Sequence, residues 1–482
     1  MNVVSALAVL CLLGALHAGC LTSAESIKSE SSETAAASEA TRVVQSLIRI
    51  PTVTPPGNEL AAAEYLAAFL SNEGIEATLV ESSPGRGNVM ARLRGDDSKR
   101  AILLLCHLDV VPVEQGWSVD PFAGMIAHGS VYGRGAIDDK GMCATNLIAF
   151  AELKRQGVAL ARDVIFLATA DEEGKSEGVR YMLERYPERL DVEYVLNEGA
   201  GGIEGLLKPG QVVFGVAAGD KGFARIRVTA RSQPGHGGMP SALQAPHVLI
   251  PALAHLLEQK QPLVSNRYVE PMFKNLAEHE SGWRGFLMRH PRLFASLLLR
   301  ATATTPTGRA VVSNTISIVE LKANGAVATV PAVAEAWLDA RLLPGVTPEA
   351  FIVEIEAHLR DFDVEIELEH GWAATLSPWD TELSRALERQ LPDGLADSVV
   401  GPVLSPAWTD SRFFRDRGAV AYGVPVFVLS EQQLAGIHSH DEHIPIAELG
   451  AGVRRMFRIL VDLAASASVS STRSFESLPQ GM

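Results

Sequence analysis

Apolar positions recur along the first half of the chain in two alternating patterns. Glu59–Asn72 and Met142–Gln156 repeat apolar residues at helical spacing, which predicts two helices. Ala101–Val111 and Val164–Ala170 are apolar runs of strand length, which predict buried strands. Strands alternating with helices are typical of an α/β domain whose sheet is mostly parallel and flanked by helices. In such a sheet, reactive residues lie just beyond the carboxyl ends of the strands.

A different pattern marks a second domain. Phe223–Arg231 alternates apolar and basic residues, as a half-exposed strand does. We therefore predict an inserted α+β domain over residues 219–369, between two parts of a catalytic domain at 41–218 and 370–465. Residues 466–482 are predicted to form a flexible tail.

The N-terminal residues differ in composition from the rest of the chain. Val3–Leu16 is a short apolar run followed by small residues up to Cys20, which predicts a signal peptide or an N-terminal anchor at 1–20, and hence export. Cys20 leaves lipid attachment open as an alternative. Residues 21–40 are rich in Ser, Ala and Glu and predict a flexible linker, so that folded structure begins near Thr41.

The overall composition narrows the function. The chain of 482 residues is 47% hydrophobic and 21% charged, which is typical of a globular protein with two or three domains. Its formal net charge of −15 argues against a broad nucleic-acid surface, so a small molecule or a peptide is the expected partner. Beyond the leader the cysteines are Cys106 and Cys143, both in apolar segments, and we predict that no disulfide framework holds the fold.

Acidic and histidine residues follow several of the predicted strands. The stretch "GRGAIDDKG", Gly133–Gly141, places two aspartates and a lysine between glycines, as either a solvated turn or a cation site. His107 and Asp109 suit a metal ligand with an orienting carboxylate or, alternatively, a buried hydrogen bond. Further candidates in loop positions are Glu172, Glu173, Glu198 and His438. Because two imidazoles and several carboxylates match the needs of a pair of divalent ions, their joint occurrence favours the cation site.

A set of short motifs then points to a family. The motifs are "HLD", "GRGAIDDKG", "DEEGKSEG", "NEG", "GHGGMPS", "DARLLPG", "TDSRFF" and "GIHSHDE". In this order and spacing the chain resembles the M20 metallopeptidase family, especially its Gly-X carboxypeptidase branch, from about Thr41 to Leu463. The resemblance implies a zinc-exopeptidase-like fold and an amidohydrolase or carboxypeptidase that cleaves an amide bond next to a free carboxylate.

The resemblance also implies five ligands for two zinc ions, with cobalt and manganese as alternative metals. The ligands are His107 and Glu198 on one ion, Glu173 and His438 on the other, and Asp138 as the bridge between them. Glu172 would be the general base and Asp109 would orient His107. A cis peptide bond between Asp138 and Asp139 is also expected.

On the substrate side, the resemblance implies that the insert is a lid. His236 would reach the substrate carbonyl, and Arg341 would bind the substrate carboxylate. A turn histidine and a surface arginine are the alternatives. Many relatives have an asparagine where this chain has Ala328, and Asn314 is a candidate to replace its contact. Asp410 lies in the segment that lines the substrate site in the family and is a further candidate.

A long extra segment, about Gln259 to Pro306, contains "WRGFLMRHPRLFASLLLR". Its apolar residues and interleaved arginines predict one or two helices. A packed pair of core helices is one interpretation, and an acyl-chain pocket or a membrane-facing patch is the alternative.

Two other functions stay open at this stage. One is a deacylase of small acyl groups, of the acetylornithine or succinyl-diaminopimelate type, and the other is a zinc-binding relative without catalysis. Membrane or lipid contact through the N-terminus or the insert is left open, as is the oligomeric state.

Overall fold

The computed structural model describes residues 35–199 and 201–466. Its strands, in chain order, are β1 (Ala77–Ser83), β2 (Arg86–Leu93), β3 (Ala101–His107), β4 (Met125–Ala127), β5 (Ser130–Tyr132), β6 (Val164–Thr169), β7 (Val192–Asn197), β8 (Gly202–Glu204), β9 (Val212–Asp220), β10 (Gly222–Arg231), β11 (Gly235–His236), β12 (Thr315–Lys322), β13 (Thr329–Val330), β14 (Val333–Leu342), β15 (Glu365–Trp372), β16 (Thr375–Leu376), β17 (Ser398–Ser405), β18 (Val420–Gly423), β19 (Val428–Leu429) and β20 (His443–Pro445). Its helices are α1 (residues 35–48), α2 (Glu59–Asn72), α3 (Lys140–Arg155), α4 (Glu177–Arg185), α5 (Ala245–Glu258), α6 (Val269–Glu278), α7 (Gly282–Arg289), α8 (Ala295–Thr302), α9 (Pro306–Val312), α10 (Pro348–Leu359), α11 (Glu382–Gln390), α12 (Ser411–Arg415), α13 (Glu431–Leu434) and α14 (Ile446–Ala464).

The chain divides into two compact units. The first contains the described residues up to Val212, Glu382–Ala396 and the described residues from Val424 onward; the second contains Val213–Thr381 and Asp397–Gly423. All of the predicted insert, 219–369, lies within the second unit. That unit also takes in residues 370–381 and 397–423, which the sequence assigned to the second part of the catalytic domain.

In the first unit, the strand order is β1-β2-β6-β3-β7. The strands β6, β3 and β7 run parallel, whereas β2 is antiparallel to both β1 and β6. The predicted α/β class is confirmed, but the sheet is mixed. Only two residues join β1 to β2, and so short a connection makes neighbouring strands antiparallel.

The centre of this sheet is covered by helices. Every residue of β3 and β6 is buried, because α3 packs on both strands, while α2 packs on β1 and β2. The bounds of α2 match the prediction, and α3 begins two residues earlier than predicted. Since β3, β6 and β7 are parallel, the loops that follow them leave the sheet at one edge.

The N-terminal predictions are tested only in part. The predicted signal peptide, the first part of the linker and the predicted tail beyond residue 466 lie outside the described residues. The linker prediction is wrong for residues 35–40, which are helical. Contacts with the rest of the first unit explain why these residues are helical, because Ala40 is fully buried and Glu39 pairs with Arg155 at 2.8 Å. Among the described helices, none has the length and hydropathy needed to span a membrane.

The prediction about cysteines is also wrong in one respect. Cys106 and Cys143 form a disulfide, with a Cα–Cα distance of 5.3 Å. Cys106 is the last residue but one of β3, and Cys143 lies in the first turn of α3, which packs against that strand. The apolar segments around the cysteines were the reason to expect no disulfide framework. Packing of these two segments against each other is what brings the cysteines together.

The second unit is built on an antiparallel sheet of order β12-β14-β10-β15. The predicted alternation in β10 is confirmed. Ala224, Ile226 and Val228 face a core that includes side chains of α5 and α10, and Arg225 and Arg227 pair with glutamates of β15. A further set of pairings in this unit joins β9 to β16, β17 and β18.

The extra segment forms the short helices α6–α9, and the prediction of one or two helices in its apolar part corresponds to α7 and α8. Its apolar side chains split into two groups. Met288, Leu298 and Leu299 are buried, whereas Trp283, Phe286, Leu293 and Leu297 are exposed. The interpretation as a packed core pair is therefore wrong for the exposed group.

Candidate metal centre

Three neighbouring strand ends supply most of the candidate ligands. His107 ends β3, Glu173 lies in the loop after β6, and Glu198 directly follows β7. Because β3 is paired in parallel with both other strands, the three loops meet at the same edge of the sheet. Two groups of side chains result, with ligand atoms within 4.8 Å of one another: His107, Asp138 and Glu173, and His107, Glu172 and Glu198.

Asp138 lies between the two candidate histidines. Its Oδ1 is 3.0 Å from Nε2 of His107, and its Oδ2 is 3.1 Å from Nε2 of His438. His438 Nε2 also lies 2.9 Å from Oε1 of Glu173, and His107 Nε2 lies 3.8 Å from Oε2 of Glu198. By these distances, the five residues form two groups of candidate ligands that share the carboxylate of Asp138.

Burial and interactions between the side chains shift the pKa values of these groups. Burial, opposed by the hydrogen bond from His107, raises the pKa of Glu198 to about 7. Burial and the charge of Asp138 also raise the pKa of Glu173. Hydrogen bonds to Asp138 and Glu173 raise the pKa of His438 to about 10. Although burial lowers the pKa of His107, its hydrogen bonds to carboxylates hold it well above the ordinary value.

Asp109 has two positioning roles at this site. Its carboxylate is fully buried and lies 3.5 Å from Nδ1 of His107, and its backbone carbonyl lies nearer to the same nitrogen, at 3.1 Å. The same carboxylate accepts the backbone N–H groups of Glu172 at 3.0 Å and Glu173 at 3.1 Å. Asp109 therefore fixes the loop that carries two glutamates as well as the neighbouring histidine, and the sequence interpretation included only the second role.

The loop after β6 has a further support that the sequence interpretation missed. Asp171 adopts a left-handed backbone conformation, with φ 67°, and its carboxylate accepts the N–H groups of Lys175 and Glu177 at 3.0 and 3.2 Å. Arg86 pairs with the same carboxylate at 2.7 Å. Asp171 was one of three successive acids in the sequence, and its position next to a glycine-containing turn was the available signal.

Glu442 holds the "GRGAIDDKG" loop and was also missed. The strand β20 pairs with β5 so that His443 stands opposite Tyr132, which places Glu442 beside the start of the loop. Its carboxylate accepts bonds from Arg134 Nη1 and from the N–H groups of Gly135, Ile137 and Asp138, at 2.7, 3.0, 2.8 and 3.1 Å. The acidic residue four positions after His438 was the only local signal for this clamp.

The glycines and the lysine of the loop have structural roles. Gly135 has φ 86°, and a Cβ there would lie 2.7 Å from Cγ1 of Val110. A Cβ on Gly141 would lie 2.3 Å from a backbone oxygen. Lys140 is buried, and its Nζ donates to the carbonyls of Leu47 and Ile50, both at 2.9 Å. The composition that suggested a turn is therefore that of a tightly packed loop.

The predicted cis peptide bond between Asp138 and Asp139 is confirmed. The Asp139 carboxylate is buried and accepts the backbone N–H of His107 at 3.2 Å. Asp139 thus holds the backbone of His107, a candidate ligand, while Asp138 faces both histidines.

The candidate substrate residues lie in the second unit and contact neighbours within it. Arg341 forms two bonds to the Asp339 carboxylate, at 2.6 and 2.9 Å, and its guanidinium lies over the ring of Phe223. Asn314 Oδ1 accepts the N–H of Leu343 at 2.8 Å. His236 is exposed in β11.

Asp410, the last candidate substrate residue, and Ala328 lie outside the strands of the second unit. Asp410 is buried at the start of α12. The guanidinium of Arg412, two residues later, stands 3.7 Å from the ring centroid of Trp372. Ala328, where many relatives have asparagine, has φ 65°. Asparagine tolerates that left-handed conformation better than alanine does.

Comparisons with known proteins give a consistent result. Residues 103–462 match the model of peptidase family M20/M25/M40. The N-fatty-acyl-amino acid synthase/hydrolase PM20D1 of Xenopus tropicalis is 26% identical over 82% of this chain and 80% of its own. The probable carboxypeptidase S-like 2 of Dictyostelium discoideum is 27% identical over 73% and 69%. Among solved structures, the M20 family metallo-carboxypeptidase Sso-CP2 from Sulfolobus solfataricus matches with a TM-score of 0.66 at 18% identity, over 88% of this chain and 99% of that one.

Proposed function

Since the chain belongs to peptidase family M20 and is a hydrolase of amide bonds, we propose that it is a two-zinc enzyme specific for an amide next to a free carboxylate. The substrate would be an N-acyl amino acid or a peptide cleaved at its C-terminal residue. Similarity to a fatty-acyl-amino acid hydrolase and to carboxypeptidases supports both classes.

One observation carries the proposal. The two oxygens of Asp138 face two different histidines, at 3.0 and 3.1 Å, and each histidine has a second carboxylate nearby. Hydrogen bonds alone could account for the two contacts of Asp138, but not for the placement of Glu173 and Glu198 beside the same histidines, because three carboxylates close together repel one another unless positive charge compensates them. The arrangement is what a bridging ligand between two cations requires.

The donor set fits divalent metal ions. Burying several carboxylates together is costly unless positive charge compensates them, and the raised pKa values of Glu173 and Glu198 express that cost. Imidazole with carboxylate suits zinc, and also cobalt or manganese. We assign His107 and Glu198 to one ion, Glu173 and His438 to the other, and Asp138 to both.

When bound, two divalent ions supply Lewis-acid activation of a water molecule and of the scissile carbonyl. Glu172 is the proposed general base. It would take the proton from the attacking water at its carboxylate and deliver it to the leaving nitrogen, so that a free amine and a carboxylate result. Asp109 would position both the base and His107, because it bonds the backbone of one and lies 3.5 Å from the ring of the other.

The requirement for a free carboxylate is assigned to Arg341. A guanidinium presents two parallel donors to a carboxylate, and Arg341 already binds Asp339 in that way. His236 is assigned to the substrate carbonyl, with Asn314 and Asp410 as further substrate contacts. These four assignments depend on the resemblance rather than on the geometry of the first unit.

We also propose that the protein is exported. The apolar run of Val3–Leu16 supports this, and so does the Cys106–Cys143 disulfide, because disulfides persist mainly in oxidising compartments.

The test is a mass-spectrometric hydrolysis screen of the zinc-loaded protein with dipeptides, N-acetyl amino acids and N-oleoyl amino acids. Preference for N-oleoyl substrates would identify an N-acyl-amino-acid hydrolase, and preference for dipeptides would identify a carboxypeptidase. Preference for N-acetyl substrates would favour the small-acyl deacylase instead.

The control variants separate catalysis from metal binding. Glu172→Gln should retain two zinc ions and lose about 10²–10⁴-fold in turnover, the usual contribution of a general base. The matched variant Glu177→Gln, an exposed glutamate at the start of α4, should behave as the wild type. Bound zinc without turnover on any amide would favour the non-catalytic relative, and zinc loss in Glu172→Gln would reverse the roles of Glu172 and Glu173.

A further inference from the structure

Residues 281–309 differ in charge from the rest of the chain, and we call them the cationic segment. They contain five arginines and no aspartate or glutamate, in a chain with a formal net charge of −15. The arginines are Arg284, Arg289, Arg292, Arg300 and Arg309. With 57 acidic residues among 482, a run of this length would be expected to contain several of them.

The same segment exposes large apolar side chains. Trp283 is 73% exposed, Phe286 49%, Leu293 74% and Leu297 51%. All six tryptophans of the chain lie in the described part, and Trp283 is the exposed one among them. Large apolar groups that cluster on a surface indicate a contact with something apolar.

The two helices of the segment have one face inward and one outward. On α7, Gly285 and Met288 are buried three residues apart, while Trp283 and Phe286 face solvent. On α8, Leu298 and Leu299 are buried and Leu297 is exposed. The exposed apolar groups are therefore a second hydrophobic surface rather than the edge of the core.

Aromatic contacts connect the two helices. The rings of Phe286 and Phe294 meet edge to face, with centroids 5.8 Å apart, and Phe286 also meets His290. These contacts hold the exposed side of α7 next to the start of α8. The exposed apolar groups of both helices can then act as one patch.

The arginines are only partly neutralised within the protein. Arg292 pairs with Glu270 at 2.8 Å, and Arg284 lies 3.8 Å from Glu280. In the part of the chain that the structure describes, neither Arg289 nor Arg300 takes part in a salt bridge. Two cationic groups beside the apolar patch therefore have no anionic partner of their own.

We propose that the cationic segment docks on the surface of an anionic lipid bilayer. An exposed tryptophan, leucines and a phenylalanine would enter the boundary between headgroups and acyl chains, and the arginines would pair with lipid phosphates. A symmetric pairing of two copies through this segment would place arginines against arginines, whereas an anionic lipid surface offers phosphates to all of them. The docking is peripheral, and it requires neither helix to cross the membrane.

The first experiment measures binding of the full chain to vesicles of phosphatidylcholine, with and without about one third phosphatidylglycerol. The probe is quenching of Trp283 fluorescence by lipids brominated on their acyl chains. This readout reports the position of the segment itself, so attachment through the apolar N-terminus cannot imitate it. We expect quenching on the anionic vesicles, and its loss in Trp283→Phe.

Two double variants separate charge from apolar contact. Arg289→Gln with Arg300→Gln should weaken binding of the segment by roughly 30-fold, the effect of two arginines near an anionic surface. Leu293→Ser with Leu297→Ser should weaken it by roughly tenfold or more. The matched control is Val319→Ser with Leu321→Ser, two exposed apolar residues on β12, which should leave binding unchanged.

Three results would overturn the proposal. The first is absence of Trp283 quenching on anionic vesicles, and the second is an equal loss of binding in the control variant. The third is altered hydrolysis of long-chain N-acyl amino acids in the leucine variant without altered vesicle binding, which would make the segment an acyl-chain pocket. Hydrolysis of a soluble dipeptide by each variant reports folding, and the arginine variant keeps the test valid if the leucine variant misfolds.

Discussion

The candidate metal ligands of the first unit and the candidate substrate residues of the second unit differ in what they contact. Asp138 faces His107 and His438, so the ligands are one another's partners. By contrast, Arg341 is paired with Asp339, two residues away in β14. The first arrangement brings together residues that are distant in the chain, and the second satisfies a side chain locally.

The difference shows how far each assignment can be argued from geometry. Buried carboxylates that face each other are unfavourable without a cation, so their convergence is itself an argument for metal binding. A locally satisfied arginine is equally stable with or without a substrate. The assignment of a metal site therefore depends on distances within the first unit, and the assignment of the substrate contacts depends on family resemblance.

Removing the shared carboxylate should have the largest effect. We expect Asp138→Ala to lose both metal ions and to lower turnover by roughly 10⁴-fold, because metal ions contribute several kcal/mol to transition-state stabilisation. Metal content by elemental mass spectrometry and the hydrolysis rate check this. Asp416→Ala, an exposed aspartate, is the control. A variant that kept both ions would show that Asp138 is not the bridge.

Removing the carboxylate of Glu442, which holds the loop at Gly133–Gly141, should have the next largest effect. This effect is on stability. Glu442→Gln would leave Arg134 buried without its ionic partner and set an amide donor against backbone donors. We expect the free energy of unfolding to fall by about 3 kcal/mol, measured by denaturant unfolding. Glu431→Gln, on the exposed side of α13, should have no effect. Equal stability of the two variants would contradict the role given to Glu442.

A test of Arg341 addresses the second unit of the comparison. We expect Arg341→Lys to raise KM by about 10–100-fold with little change in kcat, because an ammonium cannot present two parallel donors to the substrate carboxylate. A substrate whose carboxylate is replaced by an amide should not distinguish this variant from the wild type. Arg360→Lys, largely exposed, is the control. Equal effects on both substrates would exclude carboxylate binding by Arg341.

The last prediction concerns how stability changes with each pH unit, and it tests a buried lysine of the second unit. Burial lowers the pKa of Lys221 to about 7, from 10.5. Between these values the unfolded chain binds more protons than the folded one, so the free energy of unfolding rises with pH, by up to about 1.4 kcal/mol per pH unit.

Lys221→Met removes this contribution, so its unfolding free energy should rise less steeply over that pH range than that of the wild type. Denaturant unfolding at a series of pH values measures the slope. Lys260→Met, at an exposed position, should keep the wild-type slope. If the curves of Lys221→Met and the wild type ran parallel, Lys221 would have an ordinary pKa in the folded protein.

The sequence predicted what depends on local pattern. Periodicity gave the bounds of α2 and the half-exposed strand β10, and the apolar runs gave β3 and β6. The residues after these strands were recognisable as a candidate site because charge at a buried strand end needs an explanation. The cis bond at Asp138 came from resemblance, since no pattern of polarity encodes it.

The contacts that hold the site were not predictable in the same way. Glu442 and Arg134 are 308 residues apart, and nothing near either residue indicates the other. The disulfide was missed for the same reason, because Cys106 and Cys143 meet only once α3 has packed on β3. Local pattern thus located the candidate ligands, and tertiary packing supplied the contacts that hold them.

The clamp from Glu442 also sets when the enzyme can become competent during synthesis. The ribosome makes Arg134 and Asp138 long before it makes His438 and Glu442, and a separation of 308 residues corresponds to roughly 15–60 s of translation. Until those later residues emerge, the nascent chain has neither the second candidate histidine nor the carboxylate that holds the aspartate loop. The order of the motifs along the chain therefore delays assembly of the candidate metal centre until the motif that contains His438 and Glu442 has been made.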